Sequence, residues 1–459
     1  MSEQIDTIIE PARELPVREH RDVIVAGGGL TGVMAAVAAA RSGADTLLIE
    51  MRSHLGAVAT MGLPLQGYCD RDERQIVRGL AEEFRQRLTA IGGATEFIRC
   101  AMHNPYIIID PESVKLVCQQ MIEEAGVSLL YNTPAVNVLK DGKRIQAVVI
   151  EGKSGREAVM AGNYIDCTGD ADLAFRAGAE CDLERPDKLQ TSTLNLTLTD
   201  VDIDKVKQCL VERPEEYKLF ELLNKDLVLK NPRFILVGLA KLAEKARSEH
   251  PEWQHIWNIA CYITQIAPGT VTINSVHMDN LCACDTRDLT KIEMLGRLRA
   301  QEALAFYRGY IPGFENARLA SSGPWAGIRE TRRLRGVRCL TVDSIVAGEC
   351  PPDTIAMGGY PVDIHDPDTN QLVFYKVPAY GIPYGCMLSP NVENLLVAGR
   401  AISATHEAMA SSRVMAQCMA LGQAAGTAAA MASSSGISPH VLNIDSLRAV
   451  LRENGQFLE

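Results

Sequence analysis

Residues 22–50, DVIVAGGGLTGVMAAVAAARSGADTLLIE, constrain the fold more than any other part of the chain. Val23, Ile24 and Val25 form an apolar run of strand length, and Gly27-Gly28-Gly29-Leu30-Thr31-Gly32 follows, satisfying G-x-G-x-x-G. The alanine-rich segment after it predicts a helix to about Ser42. A second apolar run, residues 46–49, ends on Glu50. Strand, glycine turn, helix, strand and terminal acid is the order of a dinucleotide-binding βαβ unit, with the acid near its usual place ~20 residues beyond the glycines. Gly27 makes the tight turn out of the strand, Gly29 lacks the Cβ that would keep a pyrophosphate away, and Gly32 lets the helix lie close to the sheet. The helix start around Thr31 offers free N–H groups and a partial positive charge to phosphates. Glu50 can accept hydrogen bonds from both ribose hydroxyls and would repel a 2′-phosphate, which points to FAD or NAD rather than NADP.

The chain has 459 residues, enough for two or three domains, or for one large domain with an insertion. Its net charge of -11 argues against nucleic acid or an anionic membrane as a partner. No apolar run approaches the ~20 residues of a membrane helix. The first twenty residues are polar and mixed in charge, unlike a signal peptide. The 13 cysteines are scattered and contain no Cys-x-x-Cys, the nearest pair being Cys282 and Cys284. That usage fits reduced thiols in a cytoplasmic protein, with no metal site expected.

Residues 1–20, broken by Pro11 and Pro16, read as an extended arm. Small residues follow Glu50: after Met51, Arg52 and His54 comes Leu55-Gly56-Ala57-Val58-Ala59-Thr60, a loop able to run beside a bulky ligand. The spacing of Ile76, Leu80, Phe84, Leu88 and Ile91 predicts a helix over 74–91, and Asp110-Pro111 starts another. Residues 106–109 and 127–131 read as strands. Apolar runs flanking Lys140-Asp141-Gly142-Lys143 predict a hairpin. Tyr164-Ile165-Asp166-Cys167 delivers Thr168-Gly169-Asp170, a second place where backbone can meet a cofactor. From about 189 the character changes: 191–199 alternates like a half-buried antiparallel strand, 204–260 reads as mainly helical, 271–276 as a strand, and 288–307 as a helix with Ile292, Leu295, Leu298, Ala303 and Phe306 inward. A core strand at 394–398 ends in Gly399-Arg400, and a helix rich in Ala and Gly is expected over 413–431, its N-terminus near Arg413 favouring negative charge. The domain reading is an arm (1–20), a first part of the nucleotide-binding domain (21–184), an inserted substrate domain (185–390) and the closing strand and helices of the nucleotide fold (391–459).

The segments DVIVAGGGLTGVMAAVAAARSGADTLLIE, LGAVAT, YIDCTGDADLAFRAGA, GIRETRRLRG, TIAMGGYPVDIHDP and NLLVAGRAISATHEAMASSRVMAQCMALGQAAGTAAA together resemble the FAD-dependent oxidoreductases of the glutathione-reductase-like flavoprotein superfamily, in the branch near the succinate dehydrogenase and thiazole synthase flavoproteins. The resemblance covers most of the chain except 204–260. It implies an α/β fold with a Rossmann-like FAD-binding domain, a mixed sheet plus β-meander, and an inserted α+β substrate domain. Carried over by position, Gly27, Gly29, Thr31 and Gly32 would cradle the pyrophosphate and Glu50, with Met51 and Arg52, the ribose end. The Gly56, Ala57 and Thr60 loop would run beside the flavin, and the backbone of Val136 would face the adenine. Thr168, Gly169 and Asp170 would lie near the cofactor, Gly399 and Arg400 along its ribityl and pyrophosphate part, and the helix near Arg413 would point at the flavin pyrimidine. Where the family usually has Leu-Gly-Gly, this chain has Leu55-Gly56-Ala57.

No second G-x-G-x-x-G βαβ unit is present, so the electron donor or acceptor is undefined: substrate, oxygen, a transient nicotinamide or a partner protein. Hydride transfer to or from flavin N5 needs a proton acceptor or donor nearby. Asp363 and His365 share one side of a strand-like stretch, making His365 the acid/base candidate. Arg329 offers a planar cation to a carboxylate or carbonyl oxygen and is the candidate substrate clamp. His406 falls between AGRAIS and the final helix, where a flavin-facing residue belongs; His277 and Tyr384 are weaker candidates. Each of these has a purely structural alternative, a hydrogen bond or ion pair inside the fold. The expected reaction is hydride exchange between FAD and a small polar substrate such as an alcohol, hydroxy acid, sugar or amine. Reduction of an activated C=C bond and a non-catalytic electron-transfer subunit are the alternatives. A homo-oligomer is compatible with all three.

Overall fold

The computed structural model describes residues 7–100, 103–217, 235–253, 261–366 and 371–459. At its centre strand β1 (Val17–Ala26) lies parallel to β2 (Thr46–Ile49), with β3 (Ser128–Leu130) beyond it. Strands β4 (Ala135–Asp141) and β5 (Arg144–Gly152) form the hairpin expected about Asp141-Gly142 and run antiparallel into β6 (Gly155–Asp166). The order is β3-β2-β1-β6-β5-β4. One edge of β6 is divided: its first residues pair with β5, and Tyr164 to Asp166 pair in parallel with the closing strand Leu395–Val397. The length of β6 therefore joins a β-meander to a parallel nucleotide-binding sheet, the mixed sheet expected from the sequence.

The helix Leu30–Arg41 covers one face of this sheet and is buried from Leu30 to Ala39 apart from Thr31. It packs against Met415–Ser435, whose Gly422 and Gly426 sit on its backbone: a Cβ on either would lie 2.1 Å from the Thr31 carbonyl oxygen or 2.0 Å from that of Ala35. Helix Pro111–Glu124 completes that layer, capped by Asp110 through the Ser113 N–H as its Asp-Pro start predicts.

A second, antiparallel sheet contains Ser192–Thr199 and Thr270–Met278 at its centre, flanked by Arg318–Ser322 on one side and by Cys261–Ala267 and Ile235–Gly238 on the other. Helix Thr286–Tyr310 packs Ile292, Ala303 and Phe306 into its apolar core. The chain that follows returns to the first core: Ile355, Met357 and Ile382 join the buried cluster of the nucleotide-binding helix. The cysteines whose side chains are described are all free thiols, and no helix among the described residues is long and apolar enough to cross a membrane.

Several local expectations need correction. Strand β1 starts at Val17, so the end of the arm is paired with β6. The helix expected over 74–91 is Leu80–Ala90, because Gly79 has φ +64 and Ile76 is buried in a turn bonded to the Tyr68 carbonyl. Residues 106–109 make isolated bridges to Ile98, Leu65 and Ala94 rather than a strand. Leu298, expected inward, is exposed. The closing helix begins at Met415; the preceding residues form a separate short helix, His406–Ser412, whose C-cap is Arg413. In 204–260, helices occupy Ile203–Glu212, Pro214–Tyr217 and Ala240–Glu249; residues 218–234 and 254–260 lie outside the described residues.

Candidate functional site

A cavity of about 800 Å³ opens where β1, β2, β6 and the closing strand end, the place where open α/β sheets bind ligands. Gly27, Gly29, Thr31, Glu50, Met51, Arg52, Gly56, Ala57, Val136, Thr168, Gly169, Asp170, Gly399, Arg400 and Arg413 all line it. Of the cofactor residues expected from the sequence, Gly32 and Thr60 do not. Gly32 lies behind the wall, where a Cβ would meet the Gly27 carbonyl oxygen at 1.7 Å. Thr60 donates to the Ala57 carbonyl at 2.7 Å and staples the loop from within.

The cavity's chemistry fits a dinucleotide. Gly27 turns at φ +103 with no room for a Cβ against the Cys167 carbonyl at 2.4 Å, whereas a Cβ on Gly29 would meet only that of Ala57, at 3.3 Å. The helix that starts at Leu30 has neither a side-chain cap nor an acid in its first turn, so its N–H groups and dipole are left for an anion. Glu50 is preorganised: Oε2 accepts from Gly28 N at 2.5 Å and Oε1 from Arg52 N at 2.8 Å. Burial raises its carboxyl above the ordinary range, against the pull of those N–H groups. Arg400 donates from Nη2 to Asp170 Oδ1 at 2.5 Å, an oxygen that also accepts from Thr331 Oγ1 at 2.6 Å. The Nε atoms of Arg400 and Arg413 are buried with no hydrogen-bond partner among the described residues, and buried guanidinium N–H groups call for an acceptor. Ala57, where the family pattern has glycine, adopts φ +43 and presents its methyl to the Gly29 position. These residues fit FAD, with the glycines and Arg400 toward its phosphates and Glu50 toward its ribose.

Arg413 connects this cavity to a buried polar cluster. Its Nη2 donates to Gln190 Oε1 at 3.2 Å and to the Asp363 carbonyl at 3.3 Å. Asp363 and His365 lie on one face of the strand Val362–Asp366, with His365 Nε2 3.6 Å from Asp363 Oδ1. That is an electrostatic contact, too long for the tautomer-fixing hydrogen bond expected from the sequence. His365 stacks on His277 of the second sheet, ring centroids 5.4 Å apart, and His277 Nδ1 lies 3.0 Å from Thr191 Oγ1. Arg329 Nη1 donates to the Thr191 carbonyl at 2.7 Å and to Thr193 Oγ1. Burial lowers the Arg329 pKa to about 10, with the charge of Arg413 adding to the effect. Burial, reinforced by Arg329 and neighbouring cations, holds His365 and His277 well below the ordinary histidine range, so both imidazoles are neutral near pH 7.

Arg329, Asp363 and His365 are thus brought together; His406 is not. Its Nδ1 lies 2.9 Å from Glu330 Oε1 in a network with Arg333; like Arg329, Asp363 and His365, it does not line the cavity itself. Burial pushes that imidazole down, but the Glu330 hydrogen bond and charge carry it above its ordinary value. Tyr384 donates to the Pro439 carbonyl within the core. Sequence reasoning passed over Gln66, Gln190 and Tyr360. Tyr360 donates to Gln66 Oε1 at 2.8 Å, and Gln66 and Gln190 each carry a buried amide nitrogen with no partner among the described residues. Tyr360 stands in the GGYPVDIHDP segment and could have been found there; the glutamines carry no local signal. Trp325 and His54, stacked at 5.3 Å, also line the cavity.

The family model described as FAD dependent oxidoreductase matches residues 22–451. No curated protein matches the chain. Solved structures similar to it include a geranylgeranyl bacteriochlorophyll reductase-like protein from Thermoplasma acidophilum (15% identity, 95% of this chain and 84% of that one, TM-score 0.48) and p-nitrophenol 4-monooxygenase PnpA from Pseudomonas putida DLL-E4 (11%, 96% and 87%, 0.48). The flavin-dependent brominase Bmp2 is another (12%, 95% and 83%, 0.48). Likeness at this level leaves substrate and reaction open. The family match spans nearly the whole sequence and falls on a cavity built for a dinucleotide: the chain belongs to the FAD-dependent oxidoreductase family.

Proposed function

We propose that this enzyme exchanges a hydride between flavin N5 and a small polar substrate, an alcohol, hydroxy acid, sugar or amine. Bound FAD supplies the two-electron acceptor or donor. The single observation that supports this reading most is the buried cluster of His365, Asp363, His277 and Arg329, joined to the cofactor cavity through Arg413. A neutral imidazole at 365 can take the hydroxyl or ammonium proton of a substrate, and Asp363 Oδ1 at 3.6 Å stabilises the imidazolium that results. Arg329 holds a carboxylate or carbonyl oxygen, its own position fixed by Thr191 and Thr193. The buried walls exclude water from the proton exchange.

Anaerobic mixing of the FAD-loaded protein with a panel of alcohols, hydroxy acids, sugars and amines tests this. Bleaching of the flavin band by at least one class, lost in His365→Gln, is the expected result. Bleaching that is unchanged in His365→Gln would remove the histidine from the role. A second reading makes Arg329, beside His365 and His277 in the same cluster and made a stronger acid by its burial, the proton donor for reduction of an activated C=C bond. Reoxidation of photoreduced flavin by enoates, with no bleaching by alcohols or amines, would favour that reading.

A further inference from the structure

Arg52 differs from the other arginines described on the cavity wall. Arg400 is tied to Asp170, Arg413 to Gln190 and Asp363, Arg297 to Glu293 and Arg176 to Asp172. The Arg52 guanidinium has no ion pair or side-chain hydrogen bond among the described residues; its carbon lies 3.6 Å from the centroid of the Trp325 ring. Stacking of this kind uses the planar face of the cation and leaves its N–H edge for a ligand. Arg52 is also fixed through its backbone, its N–H being bonded to the Glu50 carboxylate.

Trp325 is presented by a built support. Gly323 N donates to the Asn195 carbonyl at 2.7 Å, and Gly327 N to the Thr193 carbonyl at 2.7 Å, so residues 324–326 arch away from the second sheet between two anchors on one strand. Ala326 N donates to Glu293 Oε1 at 2.8 Å and ties the arch to the neighbouring helix. His54 also stacks on the indole, ring centroids 5.3 Å apart. The second sheet thereby reaches across and grips the chain just after the ribose acid.

We infer that Trp325 is a positioning residue for the cofactor: it aims the N–H edge of Arg52 at the ADP half of FAD and clasps that half between the two sheets. The flavin end is held elsewhere, so the effect is confined to ligands that carry the adenosine diphosphate part. Retention of FAD then depends on the arch remaining docked, and its dissociation rate reports the opening of the clasp.

The test uses the full-length protein stripped of FAD and titrated with FAD, ADP and FMN. Trp325→Leu should weaken FAD and ADP by the same factor, about tenfold, the scale of a partly desolvated cation–π contact, and speed FAD release to match. FMN, lacking the adenosine part, should bind as before. Trp325→Phe should retain most of the affinity. In a double-mutant cycle Trp325→Leu should add nothing to Arg52→Gln, because the indole acts through the arginine. Unchanged FAD and ADP affinity in Trp325→Leu, an equal loss for FMN, a Phe variant as weak as the Leu variant, or additive losses in the cycle would each overturn the inference. If Trp325→Leu does not fold, Arg52→Gln with the indole intact decides it: a loss shared by FAD and ADP but spared in FMN supports the clasp, and no loss of ADP affinity refutes it.

Discussion

Replacing Gly422 by alanine adds one methyl group where the closing helix crosses the phosphate-binding helix. The new Cβ would lie 2.1 Å from the Thr31 carbonyl oxygen, 3.0 Å from its carbon and 3.2 Å from its Cα, all backbone atoms. An unstrained carbon–oxygen contact needs about 3.3 Å, so the helices must part by roughly 1 Å. Two effects compete. Alanine favours a helix interior over glycine by ~1 kcal/mol, while overpacking typically costs 1–3 kcal/mol, at the upper end of about 3 where the opposing atoms are backbone. Overpacking wins, with net destabilisation of about 2 kcal/mol. Thr31 lines the cofactor cavity, so the displacement also reaches the phosphate site, and a misfit that costs 1.4 kcal/mol is about tenfold in FAD affinity. Gly426→Ala, 2.0 Å from the Ala35 carbonyl oxygen and one turn farther from the cavity, should lose similar stability but less cofactor affinity. Gly309→Ala, in helix Thr286–Tyr310 with nothing within 4 Å, should gain up to ~1 kcal/mol. Thermal melts of the apoproteins and flavin-fluorescence titrations read both quantities. If Gly422→Ala melts no lower than the parent and binds FAD as tightly, the close crossing does not shape the phosphate site.

Glu50→Ala removes the acceptor for Gly28 N, Arg52 N and the ribose, and should weaken FAD by about 1.5–3 kcal/mol, the scale of a charge-assisted hydrogen bond, in equilibrium titration. Arg329→Gln should raise KM for an anionic substrate at least tenfold with FAD affinity unchanged; steady-state kinetics beside a flavin titration separates the two. Because the His365 pKa lies well below 6.5, the proton-accepting form persists into acid, and the acidic limb of kcat/KM should fall below the pH at which an ordinary histidine titrates. Stability carries the same sign for His277 and His365. Their contribution is fully present above about pH 6.5, where the unfolded chain is also neutral, and is lost as pH falls toward their folded values. His406 runs the other way, contributing fully below about pH 6.5 and losing that contribution as pH rises through its raised folded value, so His277→Gln and His406→Gln should tilt the melting profile against pH in opposite directions.

The cofactor end was legible in sequence because its physics is local. A tight turn, a close helix and a terminal acid fall within residues 22–50, and each demands a particular residue type. Asp363 and His365 were legible for the same reason, since alternation along a strand puts them on one face. The polar cluster around them was not. It forms only when Thr191 and His277, at and beside the second sheet, meet the strand Val362–Asp366. His406 was misplaced because its partner Glu330 is set by tertiary packing. Ile76 was buried as expected, but by a turn rather than a helix, and apolar spacing alone does not separate the two. The break before Met415 carries no glycine or proline to announce it.

The crossing of the first and closing helices also sets an order of assembly during synthesis. Ser433 Oγ donates to the Asp22 carbonyl across 411 residues, and β6 gains its closing partner only when Leu395 to Val397 emerge. Until then the helix Leu30–Arg41 rests on its own sheet and on helix Pro111–Glu124, but the face that Met415–Ser435 covers in the finished protein stays open. Such long-range closure is slow and leaves apolar surface open to aggregation meanwhile. The phosphate cradle's glycines are made early, yet the cavity they line lacks Gly399, Arg400 and Arg413 until more than 350 residues later in the chain.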